Sequence, residues 1–359
     1  MNRDREISAW QAGIMLFVLM FSNKILVLPS LLSEQIKMEA FFVPILMFVF
    51  EILLFVIFFF LKRKYNNVSF FDLLKSKFGK NFSIVVYVLL AAYFVTKTLL
   101  IYNTTYMFLR NLIYRDSGNI LFLICVLPVV NYLAFAGLRS LGRTIQIFFP
   151  IIFLTTLFCV IVGFFGINSN LLLFQTPAKS VIFTSLKHVG CFGDTAFLFL
   201  IMDKIKIKKG QWKVLFILQI ISMVFVVLIN LVFILSYTYT SFLHPFAIFE
   251  LMSFVKEYEG LGRIDIISVV LIIILMYFLL SVYLKAILCC TDKICPKVNQ
   301  NHFIVLYDVI IGIMATAVFF TLGRVIKYGE FVLPYFSIIA FVLLPIVSLI
   351  LLKRGAKNG

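Results

Sequence analysis

The chain has 359 residues, 63% of them hydrophobic and only 13% charged, with mean hydropathy +1.09 and a formal net charge of +16. Soluble domains hold about 45–50% apolar residues, so this excess has no globular core to hide in: the chain reads as an all-α integral membrane protein in a lipid bilayer. Its lysines and arginines lie mostly in loops between apolar runs, which excludes soluble nucleic-acid binding as the reason for the charge.

A hydrocarbon core about 30 Å thick needs about 20 apolar residues per helix. That measure predicts ten transmembrane helices, near 9–31, 39–61, 83–110, 119–138, 144–166, 181–203, 213–238, 263–289, 303–323 and 329–352. The opening "MNRDREISAW" leads into an apolar run with no small-residue cleavage site after it, so the first span is expected to be retained and not a signal peptide.

That span is interrupted by "FSNKILVLPS" (21–30), where Ser22, Asn23 and Lys24 break the apolar run and Pro29 follows. Glu51 sits centrally in span 2 and Lys97 in span 3, with Tyr93 and Thr104 one or two turns either side of the lysine. "LKRKYNNVSFFDLLKSKFGK" (61–80) is a basic loop, and so is "KIKIKKGQWK" (204–213). Span 6 carries "HVGCFGDTAF" (188–197), in which Gly190 and Gly193 flank Cys191 and Phe192, and Asp194 opens the second half. The connection 239–263 is amphipathic after Pro245 and is expected to form an outer surface helix over 241–260. Span 8 presents Tyr277 and Ser281, i and i+4 on one face, and Lys285 four residues from its basic-side end, within snorkelling reach.

Spans 1–5 (1–166) and 6–10 (181–352) make two halves of one membrane domain. Five is odd, so the halves have opposite topology: a five-plus-five inverted repeat with discontinuous spans 1 and 6. Broken spans at matching positions of inverted halves point to a transporter-type binding site.

Six cysteines lack a disulfide or zinc spacing, and three histidines lie without metal or nucleophile partners. No phosphate loop and no nucleophile elbow is present, so neither an enzyme, a cofactor nor a metal is expected.

Three stretches carry a family likeness. "YLAFAGLRSLGRTIQIFFPIIF" (132–153), "HPFAIFELMSFVKEYEGLGRIDIISVV" (244–270) and "ISAWQAGIMLFVLMF…LVLPSLL" (7–32) resemble the spore germination permease family, the B subunits of germinant receptors. The likeness runs over essentially the whole chain. It implies the fold of the amino acid–polyamine–organocation (APC) transporter superfamily, with spans 1 and 6 unwound at the midplane. It also implies a germinant-sensing role in the inner membrane of bacterial endospores, beside an A-type membrane subunit and a C-type lipoprotein subunit. The sequence departs from the family at both breaks. Ser22, Asn23 and Lys24 replace the usual glycines, and Asp194 is shorter than the usual acid.

Charges inside a span cost about 2.5–3.5 kcal/mol or more at mid-membrane, so each needs a reason. Lys97 is too central to snorkel; it either pairs with Glu51 or serves a ligand- or proton-linked face. Asp194 either caps the second half of span 6 or meets a ligand's ammonium group. Lys24 either snorkels outward or lies at the C-terminal carbonyls of the first half-helix, where a cation is favoured. In the resembled transporters that break holds a sodium ion or a substrate carboxylate, with Asp194 as the expected partner here. The expected ligand site therefore comprises Ser22, Asn23, Lys24, Tyr93, Lys97, Gly190, Cys191, Phe192, Gly193, Asp194, Tyr277 and Ser281. The bulk of Cys191, Phe192 and Lys24 suits a small amino acid as germinant.

Alternate loops starting with the N-terminus hold 20 Lys and Arg against 8 in the opposite set, and four more lysines lie within spans. By the positive-inside rule both termini are cytoplasmic. A cysteine at position 75, in loop 61–80, should therefore react with an impermeant maleimide only after intact cells are permeabilised. Reaction from outside would reverse the topology.

Overall fold

The computed structural model describes residues 6–66, 68–112, 119–165, 167, 177–208, 210–254, 265–317 and 322–354. A short strand, β1 (Ile7–Ser8), leads into α1 (Ala9–Ser22). Ser8 and Gln11 close a reciprocal cap there, each side chain bonding the other's backbone N–H at 3.2 Å. The helix stops at Ser22, and α2 (Leu28–Ile36) restarts it with Pro29 in its first turn, where a missing N–H costs nothing. The expected break in span 1 is present, and residues 23–27 run non-helically between the two halves.

A 3₁₀ turn (Lys37–Phe41) leads to α3 (Phe42–Lys64); α4 (Phe70–Phe78), capped by Ser69, lies in the basic loop. Next come α5 (Lys80–Leu112), α6 (Asn119–Phe135) and α7 (Leu138–Phe164). The second half opens with α8 (Ala178–Lys187), which ends at His188. After a 3₁₀ turn (Val189–Cys191) and an extended Phe192, only a short α9 (Ala196–Leu200) follows. Strand β2 (Ile205–Lys206) then pairs in parallel with β1, tying the segment before span 1 to the one after span 6.

The remaining helices are α10 (Trp212–Tyr237), α11 (Ala247–Phe254), α12 (Asp265–Ile294), α13 (Gln300–Ala317), α14 (Leu322–Phe331), α15 (Leu333–Ile338) and α16 (Leu344–Arg354). The expected outer helix over 241–260 begins as a 3₁₀ segment (Thr238–Leu243) and becomes α11 after Pro245; residues 255–264, Arg263 among them, lie outside the described residues.

Among the described residues six helices are long and apolar enough to cross a membrane, and three shorter ones are apolar as well. The chain is thus an all-helical membrane protein. The centre is formed by α1, α5, α10 and α12; from Ala12 to Phe21 every residue of α1 is buried. A helix apolar all round is at home only when protein surrounds it. Peripheral helices turn apolar side chains outward, as α7 does with Ile147 and Leu154, which suits lipid.

Span 10 departs from the expected continuous helix. It is built from α14, α15, a π-helical turn (Ile339–Leu343) and α16. Pro334 and Pro345 have no N–H to give, and the π turn changes the register between them. The first of its breaks packs on the break in span 6: a Cβ at Gly190 would stand 2.6 Å from Leu333 Cγ. Gly190→Ala is therefore expected to destabilise the protein by about 1–3 kcal/mol, read as a lower thermal midpoint in detergent. Adding Leu333→Ala should recover part of the loss, whereas the same deficit in both variants would disprove the contact.

Candidate functional site

Where the breaks meet, one carboxylate joins three helices. Asp194 Oδ2 accepts from Lys24 Nζ at 2.5 Å, and its Oδ1 accepts from Lys97 Nζ at 2.5 Å and from the Tyr283 hydroxyl at 2.9 Å. All three charged side chains are fully buried. Lys24 also stands 5.2 Å from the Phe192 ring centroid, and Lys97 5.1 Å from that of Tyr93, distances at which a ring face attracts a cation. The Tyr93 hydroxyl donates to the Phe192 carbonyl at 2.7 Å, holding the unwound stretch against α5.

The second carboxylate does different work. Glu51 accepts from the backbone N–H groups of Gly193, Asp194 and Thr195 and from the Thr195 hydroxyl. It therefore caps the second half of span 6 from α3, a neighbouring helix. An anion at a helix N-terminus satisfies free N–H groups and the dipole together. Neither a Glu51–Lys97 pair nor a cap made by Asp194 is found. Gly193 makes this approach possible: its φ is +88°, and a Cβ there would fall 2.5 Å from the Tyr93 hydroxyl.

Expected site residues divide into three groups. Lys24, Lys97 and Asp194 form the cluster, with Tyr93, Phe192 and Gly193 around it. Ser22, Asn23 and Cys191 line two narrow clefts beside it, reached from α2, α5 and α12. Thr104 and Asn23 belong to both clefts, and the Asn23 amide nitrogen is buried with no hydrogen-bond acceptor. Each cleft has room for only one or two waters. Gly190 packs on Leu333, as above.

Tyr277 and Ser281 are not brought to the cluster. The Ser281 hydroxyl bonds back to the Tyr277 carbonyl of its own helix at 2.6 Å, and Tyr277 is half-buried. The α12 residue that reaches Asp194 is Tyr283, two positions beyond Ser281 and so on a different face. Nothing in the residue pattern marked it, because every residue from Phe278 to Cys290 is buried.

A further polar group was missed at the outer ends of the breaks. Gln35 of α2 donates to Glu330 of α14 at 2.8 Å and lies 3.1 Å from His188 Nε2, while Lys187 pairs with Glu330 at 3.1 Å. His188 and Glu330 both line the second cleft, so this group closes it. On the side of the basic loops the opening is far wider. A cleft of about 860 Å³ there is lined by Leu200 at the end of α9 and by Glu6, Asp203, Lys204, Lys285 and Asp292. Lys285 lies on the wall of this cleft, its side chain buried.

Discontinuous helices meeting at a buried charge cluster define a multi-pass membrane protein of transporter type. A solved structure titled as the substrate-bound outward-open state of a Na⁺-coupled sialic acid symporter has this fold, with TM-score 0.59, 13% identity, and coverage of 94% of this chain and 74% of that one. No curated protein matches the chain. The family model described as spore germination protein, the spore permease family, matches residues 6–325, and the chain belongs to that family.

The charges order the effects of substitution. Lys24, Lys97 and Asp194 together carry +1, so Lys24→Met leaves a neutral Lys97–Asp194 pair. Asp194→Asn leaves two buried cations and no anion between them, which should cost about 3–5 kcal/mol. Thermal unfolding in detergent should rank wild type near Lys24→Met, then Lys24→Met combined with Asp194→Asn, then Asp194→Asn alone. A Lys24→Met variant as unstable as Asp194→Asn would break this order.

Proposed function

We propose that the chain is a germinant-sensing B-type subunit of a spore germination receptor, built as ten spans in two inverted halves, 1–166 and 181–352. It binds a small amino acid at the junction of the broken spans, in the inner membrane of the endospore, and works with an A-type membrane subunit and a C-type lipoprotein subunit. The observation that carries this reading is the buried Lys24–Asp194–Lys97 cluster, placed at both breaks in a chain of the spore permease family. The cluster's +1 charge suits a ligand carboxylate, which would take Asp194's place on one ammonium group. The ligand's own ammonium would then face Asp194, and Asn23 offers an unused donor beside it. Such an exchange changes which helices are held together without altering net charge. The narrowness of the clefts means that spans 1, 6 and 10 must part before a ligand enters.

A second reading, a working amino-acid permease, is supported by the likeness of the fold to a symporter. The two readings share a site and differ in turnover. Spores lacking only this gene, complemented with wild type or Lys24→Met, should be screened against single amino acids. Wild type is expected to restore germination to at least one of them, and Lys24→Met, at equal protein level, to raise the required concentration at least tenfold. An unchanged concentration dependence would remove Lys24 from the site. Uptake of that amino acid by reconstituted vesicles, with no effect of the gene on germination, would establish the permease reading instead.

A further inference from the structure

Several lysines on the side of the basic loops are spent on the chain itself. Lys62 donates to the Met202 carbonyl at 2.8 Å, Lys64 donates to the Leu352 carbonyl at 2.7 Å, and Lys293 pairs with Asp72 at 3.6 Å. The corner between α4 and α5 is different. Lys75, Lys77 and Lys80 stand exposed within six residues, and none of them meets an acid or a carbonyl among the described residues. Asp72, the one acid of α4, turns instead to Lys293 and the Ser69 hydroxyl. Three like charges this close repel one another, and the chain supplies no anion to relieve them.

The corner is also fixed in shape. Gly79 takes φ +88°, and the Ser83 hydroxyl and N–H both donate to its carbonyl, at 2.8 and 3.3 Å. Phe78 and Phe82 pack beside the lysines with ring centroids 5.0 Å apart, and Phe82 is exposed. Further into α5, Val85 and Val88 also turn outward, about 7.5 and 12 Å along the helix from Lys80. Those valines belong against lipid tails, so the lysines stand at the edge of the hydrocarbon, where headgroups begin. The other basic loop lacks this arrangement: Lys206 pairs with Glu6, and Lys204 lies 3.6 Å from the Cys289 sulfur.

We propose that the α4–α5 corner binds the phosphate headgroup of an anionic phospholipid of the surrounding bilayer. The ammonium groups of Lys75, Lys77 and Lys80 take the phosphate oxygens, and Phe82 lies against the top of an acyl chain. Lysines at a membrane surface attract anionic lipid, and unpaired ones on a fixed turn have no internal bond to give up and little freedom to lose. Lipid reaches the corner unaided, because the outward apolar face of α5 runs into it. The surface lies apart from the charge cluster and does not depend on the ligand reading.

The test places the full chain in nanodiscs of equal parts phosphatidylcholine and phosphatidylglycerol. A photo-crosslinking benzoylphenylalanine replaces Phe82 and, as a control, Phe216, which is exposed near the start of α10, beside the other basic loop. Mass spectrometry of the adducts should give a phosphatidylglycerol-to-phosphatidylcholine ratio at Phe82 at least threefold that at Phe216. Changing Lys75, Lys77 and Lys80 together to Gln should lower the Phe82 ratio to the control's. Changing Lys208, Lys213 and Lys297 to Gln, which removes the same charge elsewhere, should leave it unchanged. Salt at about 1 M, where screening acts within about 3 Å, should lower the ratio in the wild type, which keeps the test decisive should the triple variant fold poorly. Equal ratios at the two probes overturn the proposal, as does a ratio that survives loss of the three lysines or falls equally in the control variant. So does a Phe82 adduct with a protein segment in the native membrane, which would make the corner a protein-docking surface.

Discussion

Everything at the centre of this protein depends on one carboxylate shared by two ammonium groups. A lysine at the break of span 1 and another at the middle of span 3 are tolerable in hydrocarbon only because Asp194 stands between them. Asp194 in turn is held there by the broken span 6. The cluster therefore links spans 1, 3 and 6 at the level of the breaks. At low dielectric such a link is strong while closed and costly when its one anion is lost. A contact with that property suits a switch better than a plain apolar seam does.

The breaks that expose Asp194 are themselves stabilised from outside. Unwinding a helix in a membrane leaves backbone groups without partners, and each must be satisfied by protein. Glu51 takes the N–H groups at the start of α9, and Tyr93 donates to the Phe192 carbonyl. Span 10 supplies Leu333 against Gly190, so a third interrupted span closes the other two. On the outer side Gln35, Lys187, His188 and Glu330 join the same three spans once more. With narrow clefts on one side and a wide one on the side of the basic loops, this structure is closed on the side away from those loops.

The inner ends show the same economy of means. The β1–β2 pair binds the entry of span 1 to the exit of span 6, and Glu6 pairs with Lys206 beside it. Lys62 at the end of α3 donates to the Met202 carbonyl at 2.8 Å, fixing the segment that follows α9. The halves of the two broken spans on the side of the basic loops are thereby tied at both their ends and their breaks, which makes them fit to move as one body.

Much of this was written in the sequence, because membrane burial leaves a plain record. Apolar runs of the right length gave the helices, and polar interruptions at Ser22–Lys24 and Gly190–Asp194 gave the two breaks and two members of the charge cluster, Lys24 and Asp194. Those residues stand out for a physical reason: a charge or a paired glycine inside hydrocarbon is too costly to be accidental. What spacing could not decide was partnership. Lys97 had one candidate acid, Glu51, beside a ligand-linked role, and only the approach of span 6 to α5 pairs it with Asp194 instead. Tyr283 lay unmarked in a run that is buried on every side, so its face was invisible until α12 packed. The interruption of span 10 was hidden because its prolines sit in an unbroken apolar run, and apolarity records only the need to avoid water. Helix-to-helix register is set by side-chain packing in three dimensions, and that is where the pairing of charges was decided.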